Sequence, residues 1–363
     1  MAVRAGKRCT APRGVSLSGI NAAEIEHLVH SLKPRLESLA GASLLFTGAT
    51  GWFGTWLLDL LCAADHAHEL GLRISAVSRD PGAFLGRFPG FAAHPAITWI
   101  KTDVRDLECT GTGFSHVIHA ATDSSERSRN STPRETFGTI VDGTRRALAA
   151  AGSHCKSILM LSSGAVYGPA REGLRGFAED NPGGPGPSLA SNAYAEGKRA
   201  AEQVCAIAAT EGLPVRIARC FAFVGPHMPF DRHFAIGNFI ADAVDGRPIR
   251  VRSDGRPLRS YLYMSDLVRA LLAILVDGAV ARAYNVGSDV AVTIEELAQR
   301  VNRVAGGSGV LIEGAPSDPL DRYVPDVTRI RTELGFTEQV ALDDAIARTA
   351  RWRRAQLREP MRS

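Results

Sequence analysis

An α/β fold, built on a doubly wound parallel sheet with a smaller C-terminal lobe, is predicted by three features of the sequence. Short apolar runs alternate with amphipathic stretches from Leu44 to Arg219, a glycine-rich turn joins the first run to the first helix, and the regularity lapses beyond Phe221. Parallel strands joined by helices are covered on both faces, so they read as continuous apolar runs rather than alternating ones.

The elements follow in order. Ile20, Ile25, Leu28, Val29, Leu32, Leu36 and Leu39 recur at helical spacing and predict an amphipathic helix lying on the main body. Leu44–Thr47 reads as the first strand, Trp52–Leu70 as a helix, and Ile74–Val77, Ile97–Ile100 and His116–His119 as three further strands. Phe137–Ala151 reads as a helix, Ser157–Leu161 as a strand, Tyr194–Ala209 as a helix and Val215–Arg219 as a strand. The Gly/Pro-rich stretch Glu179–Leu189 must be a loop. Asp266–Val276 reads as a helix returning to the first lobe, and Tyr284-Asn285-Val286-Gly287 as a structural turn. The expected organisation is a tail and helix over 1–40 and a dinucleotide-binding unit over 41–220. A substrate lobe follows over 221–350, with about 260–290 returning to the first unit, and a C-terminal tail over 351–363.

Composition excludes several classes. The chain has 363 residues and is 45% hydrophobic, enough for a large core and too apolar for a disordered chain. The net charge of +4 is dispersed, so no nucleic-acid footprint is expected. Cys9, Cys62, Cys109, Cys155, Cys205 and Cys220 form no CxxC pair, which argues against a zinc site or a disulfide framework and for a reducing cytoplasm. No apolar run reaches the roughly 18 residues of a membrane span. The basic first twenty residues lack the apolar core of a signal peptide.

Thr47-Gly48-Ala49-Thr50-Gly51-Trp52-Phe53-Gly54 follows a strand and opens a helix, the setting in which such a turn binds a dinucleotide in a Rossmann fold. Gly48 permits the tight turn, Gly51 lets backbone N–H groups approach a pyrophosphate, and Gly54 lets helix and strand pack closely. The helix then meets the phosphates with its positive end. Thr50, Trp52 and Phe53 belong to the same turn and are assigned to the cofactor with it. The second strand ends Val77-Ser78-Arg79-Asp80, with Ser78 in the place of the carboxylate that holds the NAD ribose, and with Arg79 beside it. Ser and Arg accept a 2′-phosphate, so NADP is favoured over NAD, with Asp80 as the residue that would reverse this. Asp103 and Val104, after the third strand, suit the adenine. The small Ala120 and Ala121, after the fourth, let backbone lie against the cofactor.

Tyr194 and Lys198 are one helical turn apart and share a face. A tyrosine of pKa near 10 is a poor base at neutral pH, and a neighbouring ammonium brings it toward working pH. Ser163 ends the preceding strand and supplies a hydroxyl for a substrate oxygen, with Ser162 the neighbour that competes for the role.

The turn Thr47–Gly54, the run Ser163-Gly164-Ala165-Val166-Tyr167-Gly168 and the Tyr194/Lys198 pair together resemble the extended short-chain dehydrogenase/reductases, within them the nucleotide-sugar epimerase/dehydratase branch, from about Leu44 to beyond Gly335. The resemblance implies catalytic roles for Ser163, Tyr194 and Lys198, with Tyr194 and Lys198 also touching the cofactor. It implies a nucleoside-diphosphate sugar as substrate, held by Thr122, Ser163, Asn238, Arg259 and Arg322. It also implies a homodimer formed through the helices Phe137–Ala151 and Tyr194–Ala209, and no metal. Ile140 departs from the asparagine common on the first of these helices.

The resemblance further implies that Tyr194 takes a hydroxyl proton as a hydride leaves the sugar carbon. The 4,6-dehydratases of the branch carry an Asp-Glu pair after the catalytic Ser/Thr, and decarboxylases carry the same Glu. Gly164 and Ala165 stand there instead and cannot act as acid or base. The order of expectation is therefore 4-epimerase, then keto-sugar reductase using NADPH, then dehydratase. A non-catalytic NADP-binding regulator is the alternative of a different class.

Overall fold

Apolar runs too short to cover themselves must be buried on both faces, and here seven of them hydrogen-bond into one parallel sheet. The computed structural model describes residues 16–108, 113–122, 131–230, 234–315 and 321–358. The strands are β1 (Ser43–Thr47), β2 (Arg73–Ser78), β3 (Ile97–Lys101), β4 (His116–His119), β5 (Ser157–Ser163), β6 (Val215–Cys220) and β7 (Arg282–Val286). Their order is β3-β2-β1-β4-β5-β6-β7, so the winding reverses between β1 and β4. Ligands of doubly wound sheets bind above the strand ends at such a reversal. In register, Thr47 lies opposite Val77 on one side and His119 on the other.

The helices are α1 (Ala22–Ser31), α2 (Lys33–Glu37), α3 (Trp52–His68), α4 (Pro81–Arg87), α5 (Pro133–Ala149), α6 (Ala193–Thr210), α7 (Ala235–Val244), α8 (Met264–Asp277), α9 (Ile294–Ala305), α10 (Thr328–Leu334) and α11 (Leu342–Arg358). Strand alternation divides the core. Leu44 and Phe46 join the cluster under α3 and α8, whereas Leu45, Ile158 and Met160 join the cluster under α5 and α6. Phe137 and Ile207 stay exposed on α5 and α6, the helices expected to pair with a second copy.

Four differences from the sequence reading have physical causes. The N-terminal helical stretch is two helices, because Pro34 has no N–H to continue the first and stands instead in the opening turn of α2. Its apolar face is buried as expected, with Ile25, Leu28, Val29, Leu32 and Leu36 all in the core. Helix α5 starts before Phe137, since Thr132 and Glu135 form a capping box ahead of it. The run Tyr284-Asn285-Val286 is no turn. It belongs to β7, which adds a seventh strand beside β6. Finally, α11 carries regular helix through Arg358, into residues expected to be tail. Residues 1–15 and 359–363, with Cys9 and Cys109, lie outside the described residues.

The chain before α1 is tied down by one carboxylate. Asp59, wholly buried on α3, accepts from Ser16 Oγ (2.6 Å), Ser18 Oγ (2.6 Å) and the Leu17 N–H (2.9 Å). The four described cysteines, Cys62, Cys155, Cys205 and Cys220, are free thiols. No helix is long and apolar enough to cross a membrane among the described residues.

The tightest contact joins α3 to the turn before it. A Cβ at Gly54 would fall 2.2 Å from the Gly48 carbonyl oxygen and 2.6 Å from Ala49. Gly54→Ala is expected to cost about 1–3 kcal/mol, the range of an overpacked core. Urea unfolding should show a lower midpoint at unchanged slope, and a wild-type midpoint would refute the packing argument.

Candidate active site

A cavity of about 490 Å³ opens above the reversal between β1 and β4. Its floor is the glycine turn. Gly48 has φ +76, and a Cβ there would meet the Ala120 carbonyl at 2.6 Å and the Ala121 nitrogen at 2.7 Å. Only glycine lets the turn lie on the end of β4 so closely. Gly51 caps α3, and a Cβ there would approach only the Gly48 oxygen, at 3.3 Å. Bare backbone at the N-terminus of a 17-residue helix thus faces the cavity, the arrangement that receives a pyrophosphate. The residues present fit a dinucleotide.

The flanking residues divide. Thr50, Trp52, Ser78, Arg79, Asp103, Val104, Ala120, Ala121 and Thr122 line the cavity. Phe53 does not; its ring packs edge-on against Phe223 at 5.0 Å. Trp52 and Trp56 both donate their indole N–H to the Pro226 carbonyl, at 2.8 and 3.1 Å, tying α3 to the far wall. Ser78 Oγ lies 3.1 Å from Thr50 Oγ1. Asp80, the rival for the ribose, caps α4 by accepting from the Ala83 N–H at 3.1 Å. Asp103 accepts twice from the Arg105 side chain, at 2.9 and 3.0 Å, which holds its carboxyl below the usual range. Among the described residues, no cluster of His, Cys, Asp and Glu could hold a metal.

The three residues expected to do chemistry do not themselves line the cavity; Lys198 reaches its edge through Thr122. Alternation along β5 separates the two serines. Ser162 shares a face with Ile158 and Met160 and donates to Glu202 on α6 at 2.5 Å. Ser163 faces the other way, and its Oγ accepts from the Ala165 N–H at 3.1 Å. Lys198 is 3% exposed and donates to the Leu161 carbonyl at 2.6 Å and to Thr122 Oγ1 at 2.7 Å. Burial drives its pKa down to about 8, and it drives the Tyr194 phenol up, with Ser163 opposing.

Beneath Lys198, His119 is buried and neutral, its pKa pressed to about 3 by burial and by the Lys198 charge. Its tautomer follows from its neighbours. Thr144 spends its only proton on the Ile140 carbonyl at 2.7 Å, so it can only accept from His119 Nε2 at 3.1 Å. Nδ1 therefore accepts from Thr47 Oγ1 at 2.8 Å. Ile140 itself has a packing role. A Cβ at Gly197 would meet Ile140 Cδ1 at 3.2 Å, so this Ile–Gly contact sets how closely α5 approaches the turn bearing Tyr194 and Lys198.

Behind the serines lies a brace that the sequence reading missed. Glu202 accepts from both Nε (3.0 Å) and Nη2 (2.7 Å) of Arg219, a bidentate pair. Arg219 also donates to the Tyr167 hydroxyl at 2.9 Å, which donates to Asn285 Oδ1 at 2.7 Å. Asn285 in turn ties the Phe177 and Asp326 carbonyls, at 2.6 and 3.0 Å. In the sequence Arg219 showed only as a strand end and Asn285 only as part of a turn.

The expected substrate residues are not equally placed. Thr122 sits on the Lys198 ammonium. Asn238 lies on α7. Arg259 pairs with Asp321 and donates to the Leu258 carbonyl at 2.9 Å. Arg322 donates to the Arg175 carbonyl at 2.8 Å, while the hydroxyl of its neighbour Tyr323 lies 2.7 Å from where a Cβ on Gly164 would stand. Two successive residues of a strand face opposite ways, so the side chain reaching the centre is Tyr323.

Residues 44–287 match the model of the NAD dependent epimerase/dehydratase family. The chain is similar to UDP-glucuronic acid decarboxylase 5 of Arabidopsis thaliana, 30% identical over 306 residues that cover 84% of this chain and 86% of the relative. It is similar in structure to dTDP-glucose 4,6-dehydratase of Streptomyces venezuelae, solved with NAD bound, with TM-score 0.72 and 25% identity over 86% of this chain and 97% of that one. UDP-glucose 4-epimerase of Thermotoga maritima shares the fold at TM-score 0.72 and 20% identity, covering 87% and 99% of the two chains.

The buried imidazoles predict acid sensitivity. His116 and His119 are held to pKa about 4 and about 3, below the unfolded value near 6.5. As pH falls from 6.5, the unfolded chain binds protons that the native rings refuse, so stability falls with pH through that window. His119→Gln is expected to flatten the decline of Tm between pH 6.5 and about 4, each such ring contributing at most about 1.4 kcal/mol per unit. An unchanged slope would contradict a neutral His119.

Proposed function

The chain belongs to the NAD dependent epimerase/dehydratase family, and from that premise we propose that it is a nucleotide-sugar 4-epimerase. The observation that carries this reading is the empty place after Ser163. Gly164 and Ala165 offer no carboxyl group, and a Cβ at Gly164 would already meet the Tyr323 hydroxyl at 2.7 Å and the Phe221 ring at 2.8 Å. Elimination of water needs an acid/base group that this position lacks, and the decarboxylases that this sequence resembles carry a Glu there. Glu202 is no substitute, since Arg219 and Ser162 occupy both its oxygens.

What remains is sufficient for epimerisation. The turn Gly48–Gly54 with α3 holds the pyrophosphate, and Lys198, with one N–H of three beyond its two bonds, holds the nicotinamide ribose. A bound oxidised nicotinamide supplies a hydride acceptor for the sugar carbon. Ser163 hydrogen-bonds the sugar hydroxyl, and Tyr194 takes its proton as the ketone forms. Burial opposes a phenolate on Tyr194, and the Lys198 ammonium, charged below about pH 8, is the group this reading assigns to offset it. Once the keto sugar had turned its other face, the carbon would regain its hydride as Tyr194 returned the proton to the same oxygen, giving no net redox change. Arg259 is near enough to Tyr323 to act on its charge, which supports the diphosphate lying along that wall.

The cofactor reading rests on the end of β2. Ser78, Arg79 and Asp80 all line the cavity, and Asp80 Oδ1 also caps α4. This supports NADP, and it keeps a keto-sugar reductase as the second reading.

Two measurements test these proposals. Incubated with UDP- and dTDP-hexoses, the protein should interconvert C4 epimers with no accumulated keto sugar, and Tyr194→Phe should lose about 10²–10⁴-fold of that rate while still binding cofactor. A 4-keto-6-deoxy product, released carbon dioxide, or undiminished turnover in the variant would refute the reading. Titrated with both dinucleotides, the protein should bind NADP more tightly than NAD, and Arg79→Ala should abolish the difference. A clear preference for NAD in the unaltered protein would overturn the assignment of Ser78 and Arg79.

A further inference from the structure

The C-terminal helix carries positive charge that its surroundings leave uncompensated. Arg351, Arg354 and Arg358 stand at i, i+3 and i+7 of α11 and so share one face. The carboxylates of this region are engaged elsewhere: Glu24 and Asp344 by Arg348, and Asp343 by Arg300 and Arg303. Among the described residues, no carboxylate pairs with Arg351, Arg354 or Arg358. Like charges one turn apart repel, so the face gains from any anion placed on it. The negative end of the helix favours Arg358, but Arg351 stands two turns back, beyond its reach. Arg354 is anchored, because it donates to the Ala305 carbonyl at the end of α9.

Two cavities meet on this face. One, of about 530 Å³, is lined by the three arginines with Val304, Ala347 and Ala355. The other, of about 720 Å³, lies between α1, α8 and α11, and Arg351 and Ala355 line it as well. Ala355 is therefore a low saddle between them. The second cavity has apolar walls in Leu28, Val340 and Trp352. Its carboxyl group, on Glu24, already accepts from the Tyr263 hydroxyl at 3.0 Å and from Arg348 at 3.1 Å. It is separate from the cofactor cavity: Pro226 lines the one, and the next residue, His227, lines the other.

Guanidinium groups bind phosphate oxygens in pairs, and an apolar cavity of several hundred Å³ suits a flat ring system. We propose that α11 carries a second nucleotide site. Arg351, Arg354 and Arg358 take the phosphates of a nucleoside di- or triphosphate, and the adjoining cavity takes its nucleoside. Helices α1, α9 and α11 all lie outside residues 44–287, so the site is built largely from parts beyond the match to the family model. It does not depend on the reaction proposed for the active site.

The test is calorimetric titration of the full chain in excess NAD, which fills the cofactor cavity, with ATP as probe and inorganic tripolyphosphate as the control without a nucleoside. ATP should bind at one equivalent and more tightly than tripolyphosphate. Arg351→Gln with Arg354→Gln should weaken ATP at least about tenfold, the loss of a charge-assisted hydrogen bond. Where the double variant loses thermal stability, Arg351→Gln alone carries the test, since Arg351 is exposed. Ala355→Leu, which raises the saddle, should weaken ATP and leave tripolyphosphate unchanged. Arg259→Gln should bind ATP as the unaltered protein does. Absence of ATP binding, equal affinity for tripolyphosphate, or affinity unmoved by the α11 variants would overturn the proposal, as would loss of ATP binding in Arg259→Gln, which would place the probe in the substrate lobe.

Discussion

A lysine ammonium sealed inside the protein is the constraint around which the rest of the site is arranged. Charge taken from water costs several kcal/mol unless protein groups replace the lost hydration. Lys198 finds its replacements in the Leu161 carbonyl, at the end of β5, and in Thr122, just past β4. Both acceptors are fixed by neighbouring strands of one sheet, so the ammonium can be placed only where those strand ends meet. Its neighbours adapt to it. His119 stays neutral beneath it, locked by Thr47 and Thr144, and would otherwise add a second positive charge to the same pocket.

The same sheet edge explains why the cofactor cavity and the expected chemical residues lie side by side. The glycine turn lies on the end of β4, two residues before Thr122, and Ser163 ends β5 next door. Helix α6 then brings Tyr194 and Lys198 over these ends, its approach set by Gly197 against Ile140. Arg219, Glu202, Tyr167 and Asn285 form a network reaching from α6 across β6 to β7, so the position of Ser163 is held from behind by paired charges and buried hydrogen bonds. None of those four groups is free for proton transfer to a sugar, which is consistent with a reaction that needs a single base.

Much of this was legible in the sequence because it is local. Gly48, Gly51 and Gly54 lie within seven residues, Tyr194 and Lys198 lie within one helical turn, and the strands β1 to β6 are continuous apolar runs. What escaped depends on contacts between distant segments. Tyr284-Asn285-Val286 is too short to announce a strand, and becomes one only because β6 offers an open edge. Arg322 was the conspicuous charge, yet the alternation of a two-residue strand sends it to the Arg175 carbonyl and sends Tyr323 inward. Ile140 read as a departure on a helix, and its meaning appears only with Gly197 opposite. Phe53 sat in the glycine turn and was assigned to the cofactor, but its ring belongs to the core beside Phe223.

The account stands or falls on the buried ammonium. The chain has only five lysines, Lys7, Lys33, Lys101, Lys156 and Lys198, so side-chain labelling of lysine gives a spectrum in which each can be followed. An NMR titration of the ε-carbon, assigned with Lys198→Met, should show Lys198 losing its proton near pH 8 while a free lysine titrates near 10.4. A Lys198 that titrates with the ordinary lysines would mean a solvated side chain, and the site described here could not exist in that form.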